Sequence, residues 1–112
     1  MSYYTNNNSS KGTLNVSDYV FSQIAQEKLE QLSKNELKDA ISLKLAKDKS
    51  NVTTKIDNNQ ITIQVDFFAV RNSDVQKSVT TVQQACYDAI YEAMELSNVK
   101  VNVSVIGFVD NK

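Results

Sequence analysis

The stretch QITIQVDFFAV, residues 60–70, decides the fold. Apolar and polar side chains alternate along its first half, which is the period of a β-strand with one buried face. The residues DNN at 57–59 precede it, and short Asx side chains favour a tight turn there because they tolerate positive φ. We therefore predict a hairpin with residues 52–56 as the first strand. The face expected to enter the core carries Ile61, Ile63, Val65, Phe67 and Ala69.

Outward from this hairpin, two further patterns complete the fold. Alternation at residues 12–16, 41–45 and 99–106 predicts three more strands, and apolar residues at steps of three or four predict helices over residues 18–32 and from about 73 to 94–96. Ser17 is expected to cap the first helix, and Ser73 the second. The order β-α-β-β-β-α-β predicts an α+β fold: a single small, mostly antiparallel sheet with two helices packed on one face.

The first eleven residues, MSYYTNNNSSK, are polar and nearly uncharged. They show no periodicity and offer little to bury, so we expect residues 1–11 to be a disordered tail. Residues 12–112 are then expected to form a single domain.

Composition limits the chemistry of the chain. Its 112 residues include 12 Lys or Arg, 13 Asp or Glu, no His and one Cys, for a net charge of -1. Imidazole catalysis, an internal disulfide and a multi-thiolate metal site are therefore excluded, and near-zero net charge argues against capture of nucleic acid. We expect no enzyme activity, no cofactor and no metal. Cys86 falls in the apolar stripe of the second helix and is expected to be a buried small hydrophobe.

Other charged residues are interpreted as solvated. Asp88 and Glu92 stand four apart on an outer helix face, where like charges usually face water. The lysines at 44, 47, 49 and 55 lack aromatic platforms for stacking bases.

The chain start has no signal-peptide pattern, and no apolar run approaches the roughly 20 residues of a membrane span. We expect a cytoplasmic protein without direct membrane insertion.

Two groups of side chains are candidate contact surfaces. Tyr87 and Tyr91 stand four apart, opposite the apolar stripe of the second helix, with Met94 near their edge. Continued alternation places a second group on the sheet face away from the helices: Phe68, Val70, Ile106 and Phe108. Exposed apolar patches mark interaction sites, so we expect a homo-oligomer formed through a sheet face or edge. Alternatively, a loop, the tail or a late change of strand parity covers the second group.

The order and spacing of these elements resemble the alkaline shock protein family, small general-stress and envelope-stress proteins of Gram-positive bacteria. The resemblance lies in two strand segments, in positions of the second helix and in the closing strand. These are GTLNVS at 12–17, NQITIQV at 59–65, the helix positions Val79, Val82, Gln83, Ala89, Ile90 and Met94, and the closing positions Leu96, Val99, 101–103 and 105–107. The chain resembles a divergent or short member, because Glu95 stands before Leu96 where the family usually has Thr-Gly, and the family's long charged tails are missing.

This resemblance implies a cytoplasmic non-enzyme that acts near the cell envelope. The expected function is stress response or cell-envelope homeostasis through self-association and contacts with a protein partner, which can itself be membrane-associated. The alternative is a small binding module that regulates a metabolic enzyme or an RNA.

Overall fold

A computed structural model describes residues 3–9, 12–43, 50–96 and 98–110 of the chain. It confirms the α+β class with two helices. The elements are β1 (Tyr3–Ser9), β2 (Gly12–Ser17), α1 (Asp18–Lys34), β3 (Ile41–Ser42), β4 (Val52–Asp57), β5 (Gln60–Val70), α2 (Val75–Met94) and β6 (Val99–Val109).

Strand β5 is the centre of the main sheet. The antiparallel strands β4 and β3 pair with successive parts of it, Ile56 with Ile61 and Ile41 with Ala69. Strand β6 pairs with β5 from Ile61 to Val70 and runs parallel to it. Because β6 pairs with the same β5 residues as the other two strands, it lies along the opposite edge. The antiparallel pairing predicted for β3, β4 and β5 is confirmed, and helix α2 makes the crossover that the parallel β6 requires.

Both helices cover one face of this sheet. The apolar stripe of α1 buries Phe21, Ala25 and Leu29, and that of α2 buries Val82, Cys86 and Ile90. They pack against the predicted face of β5, where Ile61, Ile63, Val65 and Phe67 are fully buried. The polar face of β5 is only half-buried, so the sheet has one core side and one open side.

The N-terminal ends of the two helices differ in how their N-cap residues bond. Ser17 is the N-cap of α1 in an extended conformation, but its side chain makes no capping hydrogen bond. The N-cap of α2 is Asp74 rather than the predicted Ser73, because the Asp74 carboxylate accepts from the Lys77 backbone N–H. The Ser73 hydroxyl instead donates to the Val70 carbonyl. This shortens the predicted helix by one residue without changing its register.

The chain start differs from the predicted disordered tail. Strand β1 pairs antiparallel with β2, Tyr3 opposite Ser17 and Tyr4 opposite Val16, so the structure has a second, two-stranded sheet. The Tyr4 ring meets the Phe21 ring edge-on at 6.3 Å between centroids. Residues 1, 2, 10 and 11 of the predicted tail lie outside the described residues.

The side chain of Asn59 fastens this β1–β2 hairpin to the main sheet. Its Oδ1 accepts from the Thr5 backbone N–H at 2.9 Å, and its Nδ2 donates to the Thr5 carbonyl at 3.1 Å. Asn58 and Asn59 form the predicted turn between β4 and β5 with φ of 51° and 62°, so the same residue both turns the chain and holds β1.

The strand predicted over residues 41–45 is described only as far as Leu43. The alternation suggested a strand over residues 41–45, whereas the structure has Ile41–Ser42. Residues 44–49, including three of the four lysines considered as a basic patch, lie outside the described residues.

Candidate interaction surface

The outer edge of β6 lacks a neighbouring strand within the described part of the chain. Strand β6 pairs with β5 on one side only. Its eleven residues therefore present a row of backbone N–H and C=O groups away from β5. Such an edge is a template for pairing with another strand.

One side chain of α2 already reaches over this edge. The Gln83 Nε2 donates to the Val101 carbonyl oxygen at 2.9 Å. The carbonyl of Val101 is therefore directed toward the side of β6 where α2 overhangs it. Beside this contact, α2 and β6 enclose a groove of about 410 Å³. Its lining residues are Gln83, Gln84, Tyr87, Val99, Lys100, Val101 and Asn102.

One residue of the predicted tyrosine pair, Tyr87, lines the same groove. Tyr87 is half-buried and packs against the core as well as lining the groove. Tyr91, one turn later, is 50% exposed, while Met94 is half-buried against the core. Of these three predicted contact residues, Tyr91 therefore presents the most surface, and Tyr87 joins it to the β6 edge.

A β-bulge separates the second predicted group. Phe67 pairs with Val105 but Phe68 pairs with Gly107, which leaves Ile106 as an extra residue in β6. Beyond the bulge Phe108 pairs with Ala69, so Phe108 lies on the helix side of the sheet and does not share the open face with Phe68. The alternative considered from the sequence, a late change of strand parity, is therefore what the structure has at this end of β6.

The exposure of this group also differs from the expectation. Val70 is only 7% exposed, so it is not an exposed contact residue. Phe68 is half-buried, and its ring lies over Gly107: a Cβ at Gly107 would stand 3.0 Å from the Phe68 Cε1. Ile106 and Phe108 are 46% and 54% exposed. The bulge therefore leaves two exposed apolar side chains at the end of β6.

Cys86 lies in the core as predicted and takes no part in this surface. It is fully buried, and its Sγ stands 3.9 Å from the Ala25 carbonyl. Desolvation by burial raises the pKa of the thiol to about 11, although the nearby Lys28 acts to lower it. A thiol held neutral in this way is a weak nucleophile.

Carboxylates on α2 and on the sheet lie apart from one another in the described part of the chain. Asp88 accepts from Gln84 on the exposed side of α2, and Asp66 accepts from Gln64 on the open face of the sheet. Among the described residues, no three His, Cys, Asp or Glu side chains come close enough to form a metal site. In the same part of the chain, neither helix has the length and apolarity needed to cross a membrane.

Sequence reasoning missed Gln83 and Lys100 as parts of the surface. Both are polar residues in ordinary amphipathic patterns, and nothing in those patterns says that β6 is an edge. A signal was available only for the bulge: Gly107 is an isolated Gly in a strand pattern, which suggests a bulge or a close approach of another group.

Comparison of the chain with protein-family profiles, curated proteins and solved structures finds no match. The resemblance to the alkaline shock protein family therefore rests on the sequence pattern, and the function must be argued from the surface itself.

Proposed function

We propose that this chain is a non-enzymatic protein that acts by self-association and protein–protein contact. The observation that carries the proposal is the outer edge of β6, which has no neighbouring strand among the described residues and has exposed apolar side chains near each of its ends. Tyr91, Ile106 and Phe108, each about half exposed, belong to the two elements that border this edge. Tyrosine and phenylalanine are enriched at protein interfaces because they bury a large apolar area.

The arrangement favours association over the binding of a small ligand. The groove between α2 and β6 is shallow and borders an open strand edge. Ligand sites for small molecules are usually concave and mostly apolar, with a few converging polar groups. Beside the polar side chains that line it, the groove offers the backbone N–H and C=O groups of a strand edge, which suit another extended chain.

The biological role that we propose follows from the sequence resemblance. Members of the alkaline shock protein family serve in general stress and envelope stress. We propose the same role here, with the protein in the cytoplasm and near the membrane through a partner. The resemblance supports this role at the level of the family, and the surface supports the mode of action.

The experiment is a measurement of molar mass against concentration by sedimentation equilibrium. We expect the wild-type mass to rise above 12.6 kDa, and the Tyr91→Ser and Phe108→Ser variants to stay closer to the monomer. Tyr19→Ser is the matched control, because Tyr19 is a 62% exposed tyrosine on the other helix. A wild-type protein that remains monomeric at millimolar concentration would refute self-association.

A further inference from the structure

We propose that the β1–β2 hairpin is a strap that opens as one unit while both helices and the main sheet stay folded, with the Asn59 side chain as its latch. The closed strap covers the core at Phe21, and the open strap uncovers it. Opening does not depend on the proposed self-association. Four features of the described residues lead to it: the separation of the hairpin from the main sheet, the latch, the ring contact beneath the hairpin and the junction with α1.

The hairpin is a sheet of its own. Within the described part of the chain, β1 and β2 pair only with each other, and no backbone ladder joins either strand to the main sheet. A two-stranded hairpin is marginally stable in water when nothing packs against it. Contacts with the rest of the protein therefore keep the hairpin formed, and we expect it to lose its pairing once they are broken.

The first of these contacts is the latch. The Asn59 amide accepts from the Thr5 backbone N–H at 2.9 Å and donates to the Thr5 carbonyl at 3.1 Å, as the backbone of a neighbouring strand would. Both bonds lie in exposed surroundings, where water competes for the same groups. Their net contribution is therefore modest, and the latch can release and form again while the rest of the protein stays folded.

The second contact lies beneath the hairpin. The half-buried Tyr4 ring meets the Phe21 ring edge-on, with 6.3 Å between the centroids, and Phe21 is fully buried in the first turn of α1. Tyr4 precedes Thr5 in β1, so departure of the strand breaks the latch and the ring contact together. Val16, which pairs with Tyr4, is 8% exposed. Opening therefore exposes apolar surface to water, which makes the open form the minor one.

The junction with α1 allows this movement. Strand β2 ends at Ser17 and α1 begins at Asp18, with no loop between them. Ser17 has an extended backbone, with φ of -74° and ψ of 156°, and its side chain makes no capping hydrogen bond. The backbone at Ser17 can therefore change direction without breaking a side-chain cap, as a hinge at the end of an element requires.

The rest of the protein is held far more firmly than the hairpin. Strand β5 pairs on both sides, with β4 and with β6, and its side chains Ile63 and Val65 are fully buried. Proteins open first in the units that have few buried apolar contacts and exposed backbone hydrogen bonds. The hairpin is such a unit, and β5 is not.

The test is native-state hydrogen exchange, under conditions in which the rate reports the opening equilibrium. Thr5 points outward to Asn59, so the alternation of an antiparallel ladder makes Tyr4 and Val16 bond to each other across the hairpin. We expect the amides of Tyr4, Thr5 and Val16 to share one protection factor. It should lie at least about 100-fold below that of Val65 on β5.

Removal of the latch separates a strap from a local contact. Asn59→Gly keeps the left-handed turn and should accelerate exchange about 5- to 100-fold at Tyr4 and Val16, although both latch bonds go to Thr5. Asn58→Gly, in the same turn, is the matched control and should leave these amides unchanged.

Removal of the ring contact should have the same effect. Tyr4→Ala should accelerate exchange at Thr5 and Val16 at least about fivefold, since it removes an aromatic pair and the burial beneath the hairpin. Tyr3→Ala is the matched control, because Tyr3 is a 53% exposed tyrosine on the same strand. An equal effect of Tyr3→Ala would overturn the role of the ring contact.

Two results in the latch variant would overturn the strap. Acceleration at Thr5 alone would show that Asn59 holds one amide and that the hairpin does not open as a unit. Equal acceleration at Val65 and at the Ala25 amide of α1 would show that the hairpin opens only when the whole molecule unfolds. Neither result bears on the proposed self-association, which is tested by molar mass.

Discussion

The buried thiol of Cys86 makes the stability of the protein depend on pH in a defined alkaline range. Burial raises the pKa of this thiol from its ordinary value of 9.0 to about 11 in the folded state. Below pH 9 the thiol is neutral in both states and contributes no pH dependence. Between pH 9 and pH 11 the unfolded chain ionises while the folded chain does not, so ionisation favours unfolding. Above pH 11 both states are ionised and the loss is complete.

The magnitude follows from the difference in pKa. Each pKa unit between the folded and unfolded states corresponds to about 1.36 kcal/mol. Two units therefore lower the free energy of unfolding by about 2.7 kcal/mol between pH 9 and pH 11. Net stabilities of small domains are about 5–15 kcal/mol, so a loss of this size is easily measured.

The assay is urea unfolding at a series of pH values from 7 to 11.5, with reducing agent, for the wild type and for Cys86→Ala. The comparison with Cys86→Ala isolates the thiol, because every other ionisable group is present in both proteins. We expect the wild type and the variant to differ by a constant amount up to pH 9. Their curves should then converge, or cross, because only the wild type loses the stability that depends on a neutral thiol. Curves that stay parallel from pH 9 to pH 11 would refute the assignment of this loss to the buried thiol.

Two further predictions concern the turn and the bulge. Asn59→Gly keeps the left-handed turn but removes both bonds to Thr5, so hydrogen exchange at the Thr5 amide should accelerate about 5- to 100-fold; Asn58→Gly, in the same turn, is the control, and equal exchange in the two variants would contradict the role of Asn59. Gly107→Ala places a Cβ 3.0 Å from the Phe68 Cε1 and should destabilise the protein by about 1 kcal/mol in urea unfolding. Most of that loss should vanish in a Phe68→Ala background, and an equal loss there would show that the ring is not the cause.

The sequence predicted the order of the elements because the alternation of β5 and the stripes of both helices are strong local signals. The turn at Asn58 and Asn59 was also predictable, since left-handed residues require particular side chains. Strand β1 was not, because its polar side chains carry no alternation. It is held instead by backbone pairing with β2 and by the amide of Asn59, and both contacts come from residues distant in the sequence or from the main chain.

The candidate surface was predictable only where a local sequence pattern reveals it. Tyr87 and Tyr91 were identified because helical periodicity locates the side of α2 away from the core stripe. The face on which Phe108 lies could not be predicted. Residues 105–108 include no polar side chain, so nothing in the sequence shows that the alternation between the two faces of the sheet shifts there. The direction of β6 was equally hidden, since a strand pattern shows which face is buried and not which neighbour the strand has.

The bulge at Ile106 gives single-residue deletions an unusual effect in this strand. Regular pairing between β5 and β6 resumes after one extra residue, so a chain without Ile106 would keep Phe67 opposite Val105 and bring Gly107 opposite Phe68 with no interruption. A residue inserted beside Ile106 would enlarge the bulge and leave Phe108 opposite Ala69, as long as the pairing beyond the bulge is kept. Among homologous sequences, changes of length confined to the bulge would therefore leave the aromatic side chain on the helix side of the sheet, while a substitution at Phe108 would change its size.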